Sequence, residues 1–119
     1  MKNLAPEIFR QRLLIEGYYS AEVTRESVAQ YLTGVAAHLG LRAYGEPAIF
    51  SPGGEGKPEN QGFDAFLPLA DSGISAYLWT SRRFLSVLLY TCKGFDEGAA
   101  IQFTRRHFSI AGEIASASI

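Results

Sequence analysis

The chain has 119 residues, of which 47% are hydrophobic and 19% are charged. This length and composition predict one globular domain, spanning residues 1–119, that can bury a core. Eleven basic and 12 acidic side chains give a net charge of −1, which argues against a protein that coats nucleic acid or anionic lipid. A single cysteine and two histidines argue against a disulfide framework and against a metal site.

The apolar runs are short, and charged residues interrupt the apolar residues near the amino terminus. None of these apolar runs approaches the ~20 residues that a membrane-spanning helix needs. We therefore expect no signal peptide and no membrane segment. The low cysteine content suits a reducing compartment, so the sequence predicts a cytoplasmic protein.

The amino-terminal half predicts a strand, a helix, a second strand and a loop. Residues 13–19 suit a buried strand, and residues 41–50 suit a strand with an edge or a bend at Pro47. Thr24 is a candidate N-cap and Gly40 a candidate helix end. Between them, apolar residues recur at the spacing of one helical face: Val28, Tyr31, Leu32, Val35, Ala36 and Leu39. Residues 51–62, rich in glycine and proline, predict a mobile loop.

The carboxyl-terminal half predicts hairpins and a second helix. The predicted strands cover 63–70, 74–79 and 84–90, and polar turns separate them. A helix begins at Asp96 and runs to about His107, where basic side chains suit the negative end of the helix dipole. Residues 110–119 predict a last strand or a frayed tail. This order favours an α+β two-layer sandwich, with one mainly antiparallel sheet and two helices on one face.

The second face of such a sheet would lack a cover. Many aromatic residues belong to its strands: Phe63, Phe66, Tyr77, Trp79, Phe84 and Tyr90. We therefore expect a homodimer or a higher homo-oligomer that packs sheet faces together.

Several polar motifs carry weaker signals. Lys57 is followed by Pro58, where a phosphate-binding P-loop needs Ser or Thr and a helix start, so we predict no such site. The arginine pairs at 82–83 and 105–106 could hold an anion, although turns and helix ends often carry such residues. His38 and His107 lack acidic neighbours at ligand spacing and are expected to be structural.

Two residues have alternative interpretations. Cys92 is either a small packed residue or a tuned thiol next to Lys93. Ser72 lies in a polar turn with Asp71 and Gly73. Such a turn is usually ordinary, but a serine hydroxyl can attack the preceding carbonyl, and elimination of the resulting ester leaves a pyruvoyl group.

Residues 70–79, Ala-Asp-Ser-Gly-Ile-Ser-Ala-Tyr-Leu-Trp, resemble the cleavage segment of the bacterial S-adenosylmethionine decarboxylases. That family reads Ala-Glu-Ser-His-Ile-Ser-Ile-His-Thr-Trp-Pro-Glu there. Residues 90–94 resemble its Phe-Thr-Cys-Gly, and residues 60–64 its Pro-Gln-Gly-Val-Ser, both at matching distances from Ser72. The resemblance covers about residues 11–119.

The resemblance implies a role for each matching residue. Ser72 would become a pyruvoyl cofactor, without a metal, after cleavage of its peptide bond to Asp71. Cys92 would act as the general acid on the decarboxylated carbon, and Trp79 matches the tryptophan of the motif. The implied activity is decarboxylation of S-adenosylmethionine or a related amino acid, a step of polyamine biosynthesis.

Four positions depart from the family pattern. Tyr77 replaces a histidine that assists processing, and a phenol is a poor base near neutral pH. Asp64 replaces a serine that assists processing, and it could act as a base or bind a cationic group. Ser81 replaces the carboxylate that contacts the nucleoside, so we assign it with Trp79 to substrate binding. Gly73 replaces the histidine after the serine.

Three functions remain open at this point. The first is a self-cleaving, pyruvoyl-dependent decarboxylase. The second is an uncleaved homologue that binds S-adenosylmethionine or a related nucleoside. The third is a non-catalytic oligomeric subunit whose aromatic sheet face is only an interface.

Overall fold

The computed structural model describes residues 1–51 and 57–119. Within these ranges the chain forms six strands and two α-helices: β1 (Gln11–Tyr18), α1 (Arg25–His38), β2 (Ala48–Phe50), β3 (Gly62–Leu69), β4 (Ser72–Trp79), β5 (Phe84–Thr91), α2 (Glu97–Phe108) and β6 (Ile114–Ser118). The strands form one sheet in the order β2-β3-β4-β5-β1-β6, and every neighbouring pair is antiparallel. The predicted α+β architecture is confirmed.

The core lies between the two helices and one face of the sheet. Side chains alternate between the two faces of a strand, so every second residue of the central strands is buried. The apolar stripe of α1 packs on this face through Val28, Tyr31, Leu32, Val35 and Ala36. Thr24 closes the start of α1 as predicted, because its hydroxyl accepts a hydrogen bond from the Ser27 amide.

Three predicted boundaries differ from the structure. Only Ala48–Phe50 of the predicted second strand is a strand, and Ala43 joins β3 through an isolated bridge to Leu69. Pro47 interrupts the strand between them, because proline has no amide hydrogen for the sheet ladder. Ser72 and Gly73 belong to β4 rather than to a turn. Residues 110–119, for which a last strand or a frayed tail was predicted, contain strand β6, which pairs with β1.

The predicted loop 51–62 is only partly described. Residues 52–56 lie outside the described ranges, Pro58–Asn60 form one 3₁₀ turn, and Gly62 begins β3. Gly62 is required because a Cβ there would lie 1.6 Å from the carbonyl oxygen of Leu78 on β4.

The second face of the sheet, here called the open face, is not covered by either of the two α-helices of the described residues. Large apolar and aromatic side chains are partly exposed on it, including Tyr18, Phe66, Tyr77 and Tyr90. Neither helix in the described part of the chain has the length and apolar content that a membrane crossing requires.

Candidate functional site

A tight turn between β3 and β4 positions Ser72. The strands pair up to Leu69 and Ser72, so only Ala70 and Asp71 remain to connect them. Asp71 takes the left-handed conformation, with φ 55, which aspartate tolerates better than most residues. The peptide bond between Asp71 and Ser72 therefore lies at an uncommon backbone conformation.

Two contacts join this peptide bond to Cys92. The hydroxyl oxygen of Ser72 accepts a hydrogen bond from the backbone N–H of Cys92 at 2.9 Å. The Cys92 thiol donates to the carbonyl oxygen of Asp71 at 3.1 Å. The antiparallel register of β4 and β5 produces this arrangement. Gly73 pairs with Tyr90, and continuing the register past this pair brings Cys92 next to Asp71 and Ser72.

The segment that carries Cys92 is fixed on both sides. The buried Thr91 hydroxyl donates to the carbonyl oxygen of Lys93 at 2.7 Å. The Gln11 side chain donates to the Phe95 carbonyl at 2.9 Å and accepts from the Phe95 amide at 3.1 Å. These bonds hold the end of β5 against β1, so the position of Cys92 follows from the fold.

A cavity of about 320 Å³ lies next to Ser72 on the open face. Its walls are Phe66, Asp71, Ser72, Gly73, Ser75, Leu88 and Tyr90. The ring of Phe66 lies directly over Gly73, since a Cβ at this position would lie 2.4 Å from a ring carbon of Phe66. Phe66 and Tyr90 were predicted only as interface aromatics. The alternation of side chains along each strand places both on the same sheet face as Gly73, which was a signal that they lie near Ser72.

Asp64 and Tyr77 lie together, but away from Ser72. They are partners in the register of β3 and β4, and both face the open side of the sheet. Tyr77 is five residues along β4 from Ser72, which corresponds to about 16 Å. Neither side chain can therefore reach the Ser72 hydroxyl of its own chain.

Trp79 and Ser81 lie at the far end of β4, about 23 Å from Ser72 at the rise of a strand. The indole of Trp79 packs beside Phe84, with ring centroids 5.5 Å apart. The Ser81 hydroxyl donates to the carbonyl oxygen of Glu59 at 3.1 Å. Ser81 thus ties the β4–β5 turn to the 3₁₀ turn.

The other polar candidates have local roles. Arg105 binds the carbonyl oxygens of Ile110 and Gly112, and Arg83 binds those of Ser20 and Ala21. The histidines pack against aromatic rings between the helices: His107 contacts Tyr31, Phe103 and Phe108, and His38 contacts Phe103. Among the residues that the structure describes, no group of three or more His, Cys, Asp or Glu could hold a metal ion.

Comparison with known proteins adds one finding. No protein-family model and no curated protein matches the chain. A solved structure that is similar is the adenosylmethionine decarboxylase from Aquifex aeolicus vf5. It superposes with a TM-score of 0.73 over 94% of this chain and 89% of that chain, at 17% sequence identity.

The chain has the fold of an adenosylmethionine decarboxylase. At this identity the likeness shows the fold alone.

Proposed function

We propose that the chain is a pyruvoyl-dependent decarboxylase of S-adenosylmethionine or a related amino acid, and that it makes its cofactor by cleavage between Asp71 and Ser72. The observation that carries this proposal is the hydrogen bond from the Cys92 thiol to the Asp71 carbonyl oxygen. A donor at that oxygen would stabilise the negative charge that develops when a nucleophile adds to the carbonyl carbon.

The cleavage uses only atoms of the chain and one water. The Ser72 hydroxyl oxygen adds to the Asp71 carbonyl carbon, the peptide C–N bond breaks, and an ester links the two residues. Loss of the Ser72 Cα proton then expels Asp71 as a carboxylate and leaves a dehydroalanine. Its imine form reacts with water, releases ammonia and leaves a pyruvoyl group on residue 72.

The surroundings of Ser72 fit such a group. The backbone N–H of Cys92 already donates to the Ser72 side-chain oxygen at 2.9 Å, and the cavity beside it leaves room for a small substrate. When formed, the pyruvoyl group supplies an electron-withdrawing carbonyl for decarboxylation. The Cys92 thiol, held beside residue 72, can hold and deliver the proton that replaces carbon dioxide.

A second copy of the chain would complete the site. Within the described residues, no side chain accepts a hydrogen bond from the Ser72 hydroxyl, and Asp64 and Tyr77 are too far away in the same chain. The open face carries exposed aromatic side chains that another sheet could cover. We propose a homodimer or higher homo-oligomer in which Asp64 and Tyr77 of one copy assist Ser72 of another.

Subunit complementation tests this arrangement. The Tyr77→Phe and Ser72→Ala chains, each with a different tag, are expressed separately and together. If the site is shared, the Tyr77→Phe chain is cleaved faster in the presence of the Ser72→Ala chain, which supplies Tyr77. Equal cleavage with and without the second chain would contradict the shared site.

The exposed Cys92 thiol has to stay reduced for these roles. A reducing compartment such as the cytoplasm meets that requirement.

Decarboxylation itself is tested by the release of labelled carbon dioxide from carboxyl-labelled S-adenosylmethionine and amino acids. We expect release with the wild-type chain and none with Ser72→Ala. Release by the Ser72→Ala variant would contradict a pyruvoyl mechanism. No release from any substrate by a fully cleaved chain would contradict the decarboxylase assignment.

A further inference from the structure

The open face carries its charges in a pattern that a second copy of the chain can match. Within the described strands, three charged side chains lie on this face: Arg12 and Glu16 on β1, and Asp64 on β3. A second sheet over the face would remove them from water. A buried charge without a partner of opposite sign destabilises an interface strongly, so the packing of the two copies has to pair such charges.

Arg12 is the group that most needs a partner. Its guanidinium keeps its charge at any ordinary pH. The Nε–H of Arg12 is already buried and has no hydrogen-bond partner among the described residues. A carboxylate bound to this guanidinium would offset the cost of covering it with a second sheet.

Glu16 offers a carboxylate, but not to Arg12 of the same chain. Residues four positions apart on one strand have Cα atoms about 13 Å apart, and Leu14 lies between them on the same face. The Ser86 hydroxyl donates to Glu16 Oε2 at 2.7 Å, which holds the carboxylate against the neighbouring strand β5. An ion pair between Arg12 and Glu16 therefore has to form between copies.

The strand register arranges the open face in rows that cross the sheet. The central row is uncharged and consists of Phe66, Ser75, Leu88 and Leu14. The row on one side of it consists of Pro68, Gly73, Tyr90 and Arg12. The row on the other side consists of Asp64, Tyr77, Ser86 and Glu16.

A two-fold axis that runs along the central row, between the two sheets, exchanges the flanking rows. Side chains on the axis meet their own copies, which suits an uncharged row. This axis brings Arg12 of each copy opposite Glu16 of the other, across a gap of about 10 Å that the two side chains can span together. An axis parallel to the strands would instead map each row onto itself and leave Arg12 without a carboxylate.

We infer that the chain forms a two-fold symmetric dimer through the open face, in which Arg12 of each copy binds Glu16 of the other. The same axis lays Tyr77 of one copy over Gly73 of the other, next to Ser72, as the shared site requires. The inference rests on the assembly in the proposed function and deepens it, because it names the contact that sets how the two sheets are placed.

Charge reversal tests the pair. Arg12→Glu and Glu16→Arg are made separately in the Ser72→Ala chain, which stays whole whether or not the wild type is cleaved. Each variant places like charges across both copies of the contact. We therefore expect the Kd of the dimer, measured by sedimentation equilibrium, to rise at least about a hundredfold relative to the Ser72→Ala chain.

Mixing the two variants should restore the dimer. In the mixed dimer one copy is acidic and the other basic at positions 12 and 16, so both contacts again join opposite charges. We expect a Kd within about tenfold of that of the Ser72→Ala chain, and this rescue also shows that both variants are folded. Arg106→Glu, at an exposed position on α2, is the matched control and should dimerise normally.

The inference is overturned if the Ser72→Ala chain is monomeric, if either charge reversal leaves the dimer intact, or if the mixture stays monomeric. Cleavage of the wild-type chain is measured separately by mass. A chain that dimerises as inferred but stays uncleaved would refute the proposed chemistry alone. Normal cleavage without rescue in the mixture would refute the Arg12–Glu16 contact alone.

Discussion

The Cys92 thiol donates a hydrogen bond, 3.1 Å long, to the carbonyl oxygen of Asp71, which lies 21 positions earlier in the chain. The same Cys92 residue binds the Ser72 hydroxyl oxygen through its backbone N–H. One residue thus contacts the electrophile and the nucleophile of the cleavage that we propose.

Removing the thiol should slow that cleavage. We expect Cys92→Ala to cleave about a hundredfold more slowly, because loss of one donor to a developing oxyanion costs about that much. Cys92→Ser should lose less, since a hydroxyl can also donate. The fraction of cleaved chain, followed by mass spectrometry at successive times after expression, measures both effects. Cleavage of Cys92→Ala at the wild-type rate would show that the thiol does not assist.

Gly62 should tolerate no side chain. A Cβ there meets the Leu78 carbonyl oxygen at 1.6 Å, whereas a Cβ at Gly112 meets nothing within 4 Å. We expect Gly62→Ala to lower the free energy of unfolding by about 2 kcal/mol or more, because the backbone of β4 has to shift. Gly112→Ala should change it by less than about 0.5 kcal/mol. Urea unfolding compares the two, and equal effects would contradict the close approach of β3 and β4.

Tyr31 should make the fold sensitive to alkaline pH. Burial raises the pKa of Tyr31 above its ordinary value, although the hydrogen bond with Thr104 lowers it somewhat. The unfolded phenol loses its proton above about pH 10 while the folded one keeps it. The stability contributed by Tyr31 is therefore complete below pH 10 and falls by about 1.4 kcal/mol per pH unit above it.

The Tyr31→Phe variant tests this slope. It should be less stable than the wild type at neutral pH by about 1 kcal/mol, since it loses the Thr104 hydrogen bond. Above pH 10 its free energy of unfolding should fall less steeply. The exposed Tyr44 provides the control, and Tyr44→Phe should keep the wild-type slope. Parallel curves for all three chains in urea titrations at pH 9–11 would contradict the assignment to Tyr31.

The open face should mediate self-association. Leu14 lies on that face of β1, outside the cavity beside Ser72. Leu14→Lys would bury an unpaired charge between two sheets, so it should convert an oligomer into a monomer with little loss of thermal stability. Tyr44→Lys, at an exposed position outside the sheet, should leave the oligomer intact. Sedimentation equilibrium measures the masses, and a monomeric wild type would contradict the proposed oligomer.

The sequence predicted the elements well where one pattern was strong. The apolar stripe after Thr24 predicted α1, and the run rich in Leu and Val after Phe84 predicted β5. The edge predicted at Pro47 is present, since β2 is an edge strand, but the predicted strand was too long. The prediction of a turn failed at Ser72, which pairs with Leu69. Propensity cannot reveal which residue of another strand completes a ladder.

The site was only partly accessible to sequence reasoning. The resemblance grouped Ser72 with Cys92, and the register of β4 and β5 brings them into contact. It also grouped Tyr77 and Asp64 with Ser72, but distances across a sheet depend on register and strand rise rather than on spacing in a motif.

The most direct test of the account is the intact mass of the freshly purified chain under denaturing conditions. We predict two fragments, residues 1–71 and 72–119, with the second lighter by one ammonia than a simple hydrolysis product and reactive towards hydroxylamine. Ser72→Ala should give the mass of the whole chain. A single mass for the uncleaved wild-type chain would contradict the pyruvoyl mechanism.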